Sequence, residues 1–151
     1  MIKEDITMLP NDSIERFIKA QDSPFNGYEV ALEEIRRGSK QSHWMWYIFP
    51  QLRSLGRSET AFYYGISDRC EAEAYLAHPI LAQRIRAICE ALLEHYDKPI
   101  EQIMGSVDAL KLRSSMTLFD ALICHDIFER VLDTFYDGKR CQHTLDAVMP
   151  Y

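Results

Sequence analysis

Apolar residues recur along this chain at helical intervals. Tyr28, Ala31, Leu32 and Ile35 fall at i, i+3, i+4 and i+7, with Glu29, Glu33, Arg36 and Arg37 opposite. That spacing gathers the apolar side chains on one face of an α-helix and turns the charges to solvent. Asn26 is the expected N-cap of this helix and Gly38 its C-terminal stop. Phe128, Val131, Leu132 and Phe135 repeat the pattern before Asp137-Gly138 turns the chain. Leu81, Ile85, Ile88 and Leu92 make one stripe of a longer helix, predicted to run from near Pro79 to about Tyr96, before Lys98-Pro99. Asp68 followed by Glu71 resembles a capping box that opens a helix through Tyr75 and Leu76, which His78-Pro79 ends. An early helix is expected from Ile14 to Gln21, capped by Asp12 or Ser13. Ile100 to Met104 reads as a short turn of helix closed by Gly105, and Thr144 to Val148 as a last helical turn.

The segment after Gly105 is different in kind. Leu112, Met116, Phe119 and Ile123 lie on one stripe while Leu118 and Leu122 add a second, so a helix starting near Ser114 is apolar on most sides. Such a helix belongs at the centre of a domain. No alternating strand pair joined by a hairpin turn occurs, and no β-run alternates with these helices. The fold class expected is all-α: a single compact multi-helix domain over residues 1–151, with one aromatic-rich irregular segment from Trp44 to Pro50. An extended backbone there would point Trp44 and Trp46 to one face, whereas a helix would separate them by more than a half-turn. Pro50 disfavours helix at Phe49.

Composition narrows the class. With 151 residues, 47% of them hydrophobic, the chain is long and apolar enough for one continuous core and unlike a disordered sequence. A net charge of -6 argues against an extended nucleic-acid surface, though not against a small basic pocket. Cys70, Cys89, Cys124 and Cys141 form no C-x-x-C pair, and Met1 to Asp5 shows no secretory leader, so reduced thiols in the cytoplasm are expected. No apolar segment approaches the roughly 20 residues a membrane span needs. The five histidines include no i, i+4 pair and no ligand-spaced Cys/His cluster, so no metal is implied. The glycines make no phosphate-cradling loop, which excludes ATP hydrolysis of the P-loop type. Cys124-His125-Asp126 holds relay-type residues, but neighbouring side chains on a helix diverge by about 100°. A buried thiol beside a helix-end histidine is the reading for that triplet.

Two segments carry candidate chemistry. The run from His43 to Leu52 holds both tryptophans beside Lys40, Arg53 and Arg57. Such a set can stack a flat ligand on Trp44 or Trp46 and meet its phosphate with cations, or it can be core. The second is Lys111-x-Arg113-Ser114-Ser115-x-Thr117, placed where the apolar helix was expected to begin. Free N–H groups, hydroxyls and cations at a helix N-terminus attract anions, and the plain alternative is a serine cap with solvated cations. If the two segments adjoin, they form one pocket for a nucleotide-like anion of the NAD or ADP-ribose class, with His43 as the weak candidate for a proton carrier. Glu34, Glu71 and Asp108 are further acid–base candidates if burial raises them. No cofactor is assigned. The alternative function is a non-catalytic interaction module, as a homodimer, that uses the exposed part of the aromatic block.

Several blocks also carry a family resemblance: Tyr28 with Ala31-Leu32 and Glu34-Ile35, Gly38-x-Lys40, the His43 to Leu52 run, Leu55-Gly56-x-Ser58, Tyr75-Leu76-x-His78-Pro79, and Lys111 to Phe119. Nearly end to end, the chain resembles the family catalogued as domain of unknown function 1810, some members of which are labelled calpastatin-like. Ser54 stands where that pattern leads one to expect glycine. The resemblance implies a small, mostly helical domain and supplies no catalytic residues. The calpastatin label conflicts with this composition, because such an inhibitor is a disordered polar chain that folds on its target.

Overall fold

Helix α8 (Ser106–Leu122) organises the structure. Its Leu112, Met116, Leu118 and Phe119 are fully buried, as an all-round apolar helix demands. It packs against α7 (Ile100–Met104), α5 (Arg69–Ala77), α9 (Ile127–Tyr136) and α10 (Gln142–Val148). A second layer is built by α6 (Pro79–Leu93), which contacts α9, α5, α2 (Tyr28–Arg37) and α1 (Pro10–Gln21). The one-turn helix α3 (Met45–Ile48) and the more exposed α4 (Glu59–Tyr64) complete the set, with a 3-10 turn at Arg53–Leu55 between them. The computed structural model describes residues 10–149. Among these the expected all-α class holds, with ten α-helices and a single isolated bridge, Leu52 to Ile66.

Local chemistry explains most boundaries. Gly38 ends α2 with φ +80, and its N–H bonds back to the Glu34 and Ile35 carbonyls. The His95 ring adds a contact to the Ile35 and Arg36 carbonyls at 2.8 and 3.1 Å, closing the same helix end from α6's trailing turn. Asp68 caps α5 by accepting from Glu71 N–H at 3.0 Å. His78 caps α6, its Nδ1 accepting from Ile80 N–H at 3.2 Å beside Pro79 at N1.

Other boundaries differ from expectation. Helix α1 starts at Pro10, so positions 12 and 13 stand within its first turn rather than at the position before it. Gly27, not Asn26, takes the N-cap position of α2, because a Cβ there would lie 2.1 Å from the Ser23 carbonyl oxygen and only glycine fits. Helix α6 stops at Leu93, since turns 94–97 replace its last predicted turn. Helix α4, capped by Ser58, has no buried residue and therefore no apolar stripe to announce it. Cys124 is exposed, not buried: the chain leaves α8 at Leu122, His125 takes φ +61, and Asp126 caps α9 while pairing with Arg86 at 2.7 Å.

The largest correction concerns the centre. Helix α8 begins at Ser106, two turns before Ser114, because Gly105 with φ +84 ends α7, its N–H bonded to the Glu101 carbonyl, and its own carbonyl accepts from Ala109 N–H as the first bond of α8. Leu112 already sits on the buried stripe. Lys111, Arg113, Ser114 and Ser115 are thus mid-helix residues whose backbone N–H groups are spent inside the helix, and they offer no N-terminal anion site.

Candidate ligand cleft between helix α8 and the loop after the aromatic block

The aromatic segment is a helical turn, and a helical turn separates its two tryptophans. Trp44 is fully buried, and its Nε1 donates to Glu34 Oε1 at 2.9 Å. The same carboxylate accepts from Gln41 N–H, Ser42 N–H and Ser42 Oγ. Burial alone would raise the Glu34 carboxyl; the bonds from Ser42, Gln41 and Trp44 outweigh it and hold the group below its usual range. Lys40 joins this knot. Its ammonium pairs with Asp108 at 2.9 Å, lies 4.7 Å from the Trp44 ring centroid, and keeps only 7% of its side chain exposed. Glu34 and Asp108 therefore serve structure, and Lys40 and Trp44 are core residues rather than ligand contacts.

Trp46 faces outward and is half-buried. Lys111 Nζ lies 5.9 Å from its ring centroid and 3.9 Å from Asp108, at the loose end of that carboxylate. The crevice over Trp46 holds only about 10 Å³, too small to stack a base as it stands. It adjoins a real cleft of about 520 Å³, with which it shares Gln51, Ala61 and Lys111. On one side the cleft is walled by Leu55, Gly56, Arg57 and Ser58, on the other by Val107, Leu110, Lys111 and Ser114 of α8. The close approach of Gly56 to α4 is what shapes the loop wall, since a Cβ on it would fall 2.6 Å from the Ala61 Cβ. Two cations and no carboxylate line this cleft. Two separate sequence blocks thus converge here, although through Arg57, Lys111 and Ser114 rather than through all the residues proposed.

A model of the protein family of unknown function DUF1810 matches residues 11–148. The chain belongs to the DUF1810 family. A search of the curated proteins finds no match. Among solved structures, this DUF1810 chain is similar to the conserved hypothetical protein Rv1873 from Mycobacterium tuberculosis. The two share 41% identity and a TM-score of 0.83, over 88% of this chain and 94% of that one.

The remaining candidates of this DUF1810 chain lie elsewhere. His43 is exposed and outside the cleft lining, which leaves it no proton to carry there. Arg53 turns away: Nε donates to the Phe62 carbonyl at 3.0 Å and the guanidinium stacks 4.6 Å from the Phe62 centroid. Ser54, in the 3-10 turn without positive φ, needs no glycine; its hydroxyl contacts His143 Nε2 at 2.9 Å. Ser115 is core, and its hydroxyl has no hydrogen-bond partner. Arg113 leaves α8 toward Tyr136 and Cys141 instead of the cleft.

A larger cavity, about 820 Å³, lies beside α1 and α5, where Arg16 and Glu71 meet at 2.7 Å. Arg16 donates to Glu71 and to the carbonyls of Ser13, Tyr63 and Gly65, which occupies its whole guanidinium. Burial would raise Glu71, but Arg16, Ser67 N–H and Ser13 pull it down to about 2. Glu71 is an ion-pair anchor, not an acid–base group. Arg53, Glu59 and Asp68 also line this cavity, so two cations face three carboxylates and it has no bias toward anions. The sequence reading missed Ser58, Gln51, Val107 and Leu110 as cleft residues; the position of Val107 and Leu110 three apart on one helix face was the available signal.

Proposed function

We propose that the cleft between the Leu55–Ser58 loop and α8 binds a small anionic molecule with a flat or apolar body, the class to which NAD and ADP-ribose belong. One observation carries the reading: in a chain of net charge -6, a cleft of about 520 Å³ is lined by Arg57 and Lys111 and by no acidic residue. The size is that of small-molecule pockets. Arg57 makes no hydrogen bond or ion pair among the described residues, and Lys111 has only the distant Asp108 contact, so both can take an anion without breaking existing pairs. Ser58 and Ser114 add hydroxyls, while Leu55, Val107 and Leu110 form the apolar wall. Binding, rather than turnover, is the activity inferred. Four free thiols support a reducing, cytoplasmic setting for it.

Thermal-shift titration with NAD, ADP-ribose, ADP and inorganic phosphate tests the proposal. A dose-dependent rise in melting temperature is expected for a phosphate-bearing compound. In Arg57→Ala or Lys111→Ala the affinity should fall about tenfold, equivalent to about 1.4 kcal/mol. Millimolar concentrations that leave the melting temperature unmoved for every compound would defeat it. A second reading has its own observation: Val107 and Leu110 are 64% and 59% exposed on a helix whose Leu112, Met116 and Phe119 are buried. That pair suits a partner surface, and a homodimer dissociated by Leu110→Asp in sedimentation velocity would favour it.

A further inference from the structure

Behind the α8 wall of the cleft lies a group of residues around Cys141, of which the ligand reading uses only Ser114. Cys141 precedes α10 and is partly exposed. Its backbone N–H donates to Thr117 Oγ1 at 3.0 Å, and that hydroxyl donates to the Arg113 carbonyl at 2.8 Å, which pins the cysteine against α8. The sulfur lies near the hydroxyl of Thr144 and that of Ser114, whose proton is donated to the Leu110 carbonyl at 3.3 Å, with the Arg113 guanidinium near enough for its charge to act. Two of these groups lack partners. Among the described residues, the fully buried Thr144 makes no well-formed hydrogen bond through Oγ1, and the buried Arg113 Nε is also unbonded. Arg113 has no carboxylate within ion-pair distance among the described residues. The other ionic groups nearby are occupied: Arg140 pairs with Asp120 and Glu129 at 3.0 and 3.7 Å, and the His143 ring meets Ser54.

Buried donors left unpaired are costly, because they have given up their hydrogen bonds to water. A neutral thiol is a weak acceptor and does little to offset that, whereas a thiolate is a strong one. The arrangement is therefore one that an anion at the Cys141 sulfur completes. Burial pushes this thiol up, yet the Ser114 and Thr144 contacts and the Arg113 charge outweigh burial and bring it below the usual thiol value. The buried Cys89, with no such donors, is pushed far up.

We propose that Cys141 is a modification site, a thiol that exchanges with anionic low-molecular-weight disulfides while Arg113 and Thr144 hold its ionised form. The thiol proton goes to solvent. The thiolate attacks one sulfur of the disulfide, a new S–S bond forms as the old one breaks, and the second sulfur leaves with the electron pair and is protonated by water. The product is a mixed disulfide on Cys141 and one equivalent of free thiol. This inference does not depend on the ligand assigned to the cleft.

The reduced full-length protein carries its own standards, because Cys70 and Cys124 are more exposed than Cys141. It is incubated at pH 7 with oxidised glutathione, quenched with acid, and mapped by peptide mass spectrometry over time. Cys141 is expected to be modified first, about tenfold faster than Cys70 or Cys124. Its iodoacetamide alkylation profile should have the lowest pH midpoint of the three. Arg113→Gln should raise that midpoint and slow exchange several-fold, and Arg113→Lys should restore it. If Arg113→Gln does not fold, Thr144→Val supplies the same comparison through the hydroxyl. Modification of Cys70 or Cys124 ahead of Cys141, or a Cys141 midpoint that ignores whichever variant folds, would overturn the proposal.

Discussion

Lys40 and Lys111 both reach for Asp108, and the two ends of that carboxylate show how alike residues come to serve different purposes. At one oxygen Lys40 sits 2.9 Å away, nearly buried and covered by the Trp44 ring. At the other, Lys111 stands 3.9 Å away with 31% of its side chain exposed, beside half-buried Trp46. On the inner side the hydrogen bonds to Glu34 and the Asp108 pair are complete, and nothing is left for a ligand. On the outer side the cations are loosely held, and Arg57 joins Lys111 in a cleft without an acid. A cation next to a tryptophan therefore says little by itself; whether its pairing is already satisfied separates scaffold from site.

The sharpest break of this comparison is at the tryptophans. Trp44→Ala should cost about 3–5 kcal/mol in urea denaturation, as a fully buried aromatic does, whereas Trp46→Ala should cost about 1 kcal/mol. Equal losses would erase the distinction between the two faces.

Acid titration probes another satisfied ion pair, Arg16 with Glu71. Because Glu71 titrates at about 2 when folded, below its unfolded value, its contribution is fully present above about pH 5 and is lost as the pH falls toward 2. That contribution is on the order of 3 kcal/mol, and Glu71→Gln should flatten the stability profile across this window. An unchanged slope in the variant would mean that Glu71 is not the anchor described here.

Next in size come the lysines. Lys40→Met leaves Asp108 without its close partner and should destabilise by about 2 kcal/mol, while Lys111→Met should stay within about 0.5 kcal/mol in chemical denaturation. The smallest stability effect is expected for Arg57→Ala, within about 0.5 kcal/mol, together with the weakened ligand response in thermal shift. A variant that loses stability along with binding would return Arg57 to the scaffold.

Much of this architecture was legible in the residue pattern. The apolar stripes of α2, α6 and α9 were placed from their 3.6-residue spacing, and Asp68 and Gly38 marked ends that the structure keeps. What was not legible was local competition. Ser114 looks like a cap, but caps work only where a helix starts, and Gly105 had already started α8. Helix α4 is held by the Ser58 cap, by its contact with the 3-10 turn and by Tyr64 alone against the Phe17 and Tyr47 rings, so no stripe revealed it. For the site, the aromatic block and the Lys111 segment do adjoin, through Trp46, Gln51 and Lys111, although not every residue named lies at that junction. Lys40, Trp44 and Ser115 are buried, Arg53 and Arg113 point elsewhere, and only three-dimensional packing could tell them from Arg57, Lys111 and Ser114.

The Leu52 to Ile66 bridge has a wider consequence. Arg53 N–H bonds to the Ile66 carbonyl at 2.8 Å and Ile66 N–H to the Gln51 carbonyl at 2.9 Å, so the chain leaves and re-enters the body at one point. Gly65 lets the two passes touch, since a Cβ on it would lie 2.4 Å from the Arg53 Cα. Between these anchors neither the 3-10 turn nor α4 contributes a buried residue. The excursion is tied at its base like an Ω-loop, and its amides should exchange with solvent by local opening at a fraction of the global unfolding free energy. Its wall of the cleft is in effect a replaceable cassette: different residues at the exposed positions 57–60 can reshape what the cleft admits while the helical body folds as before.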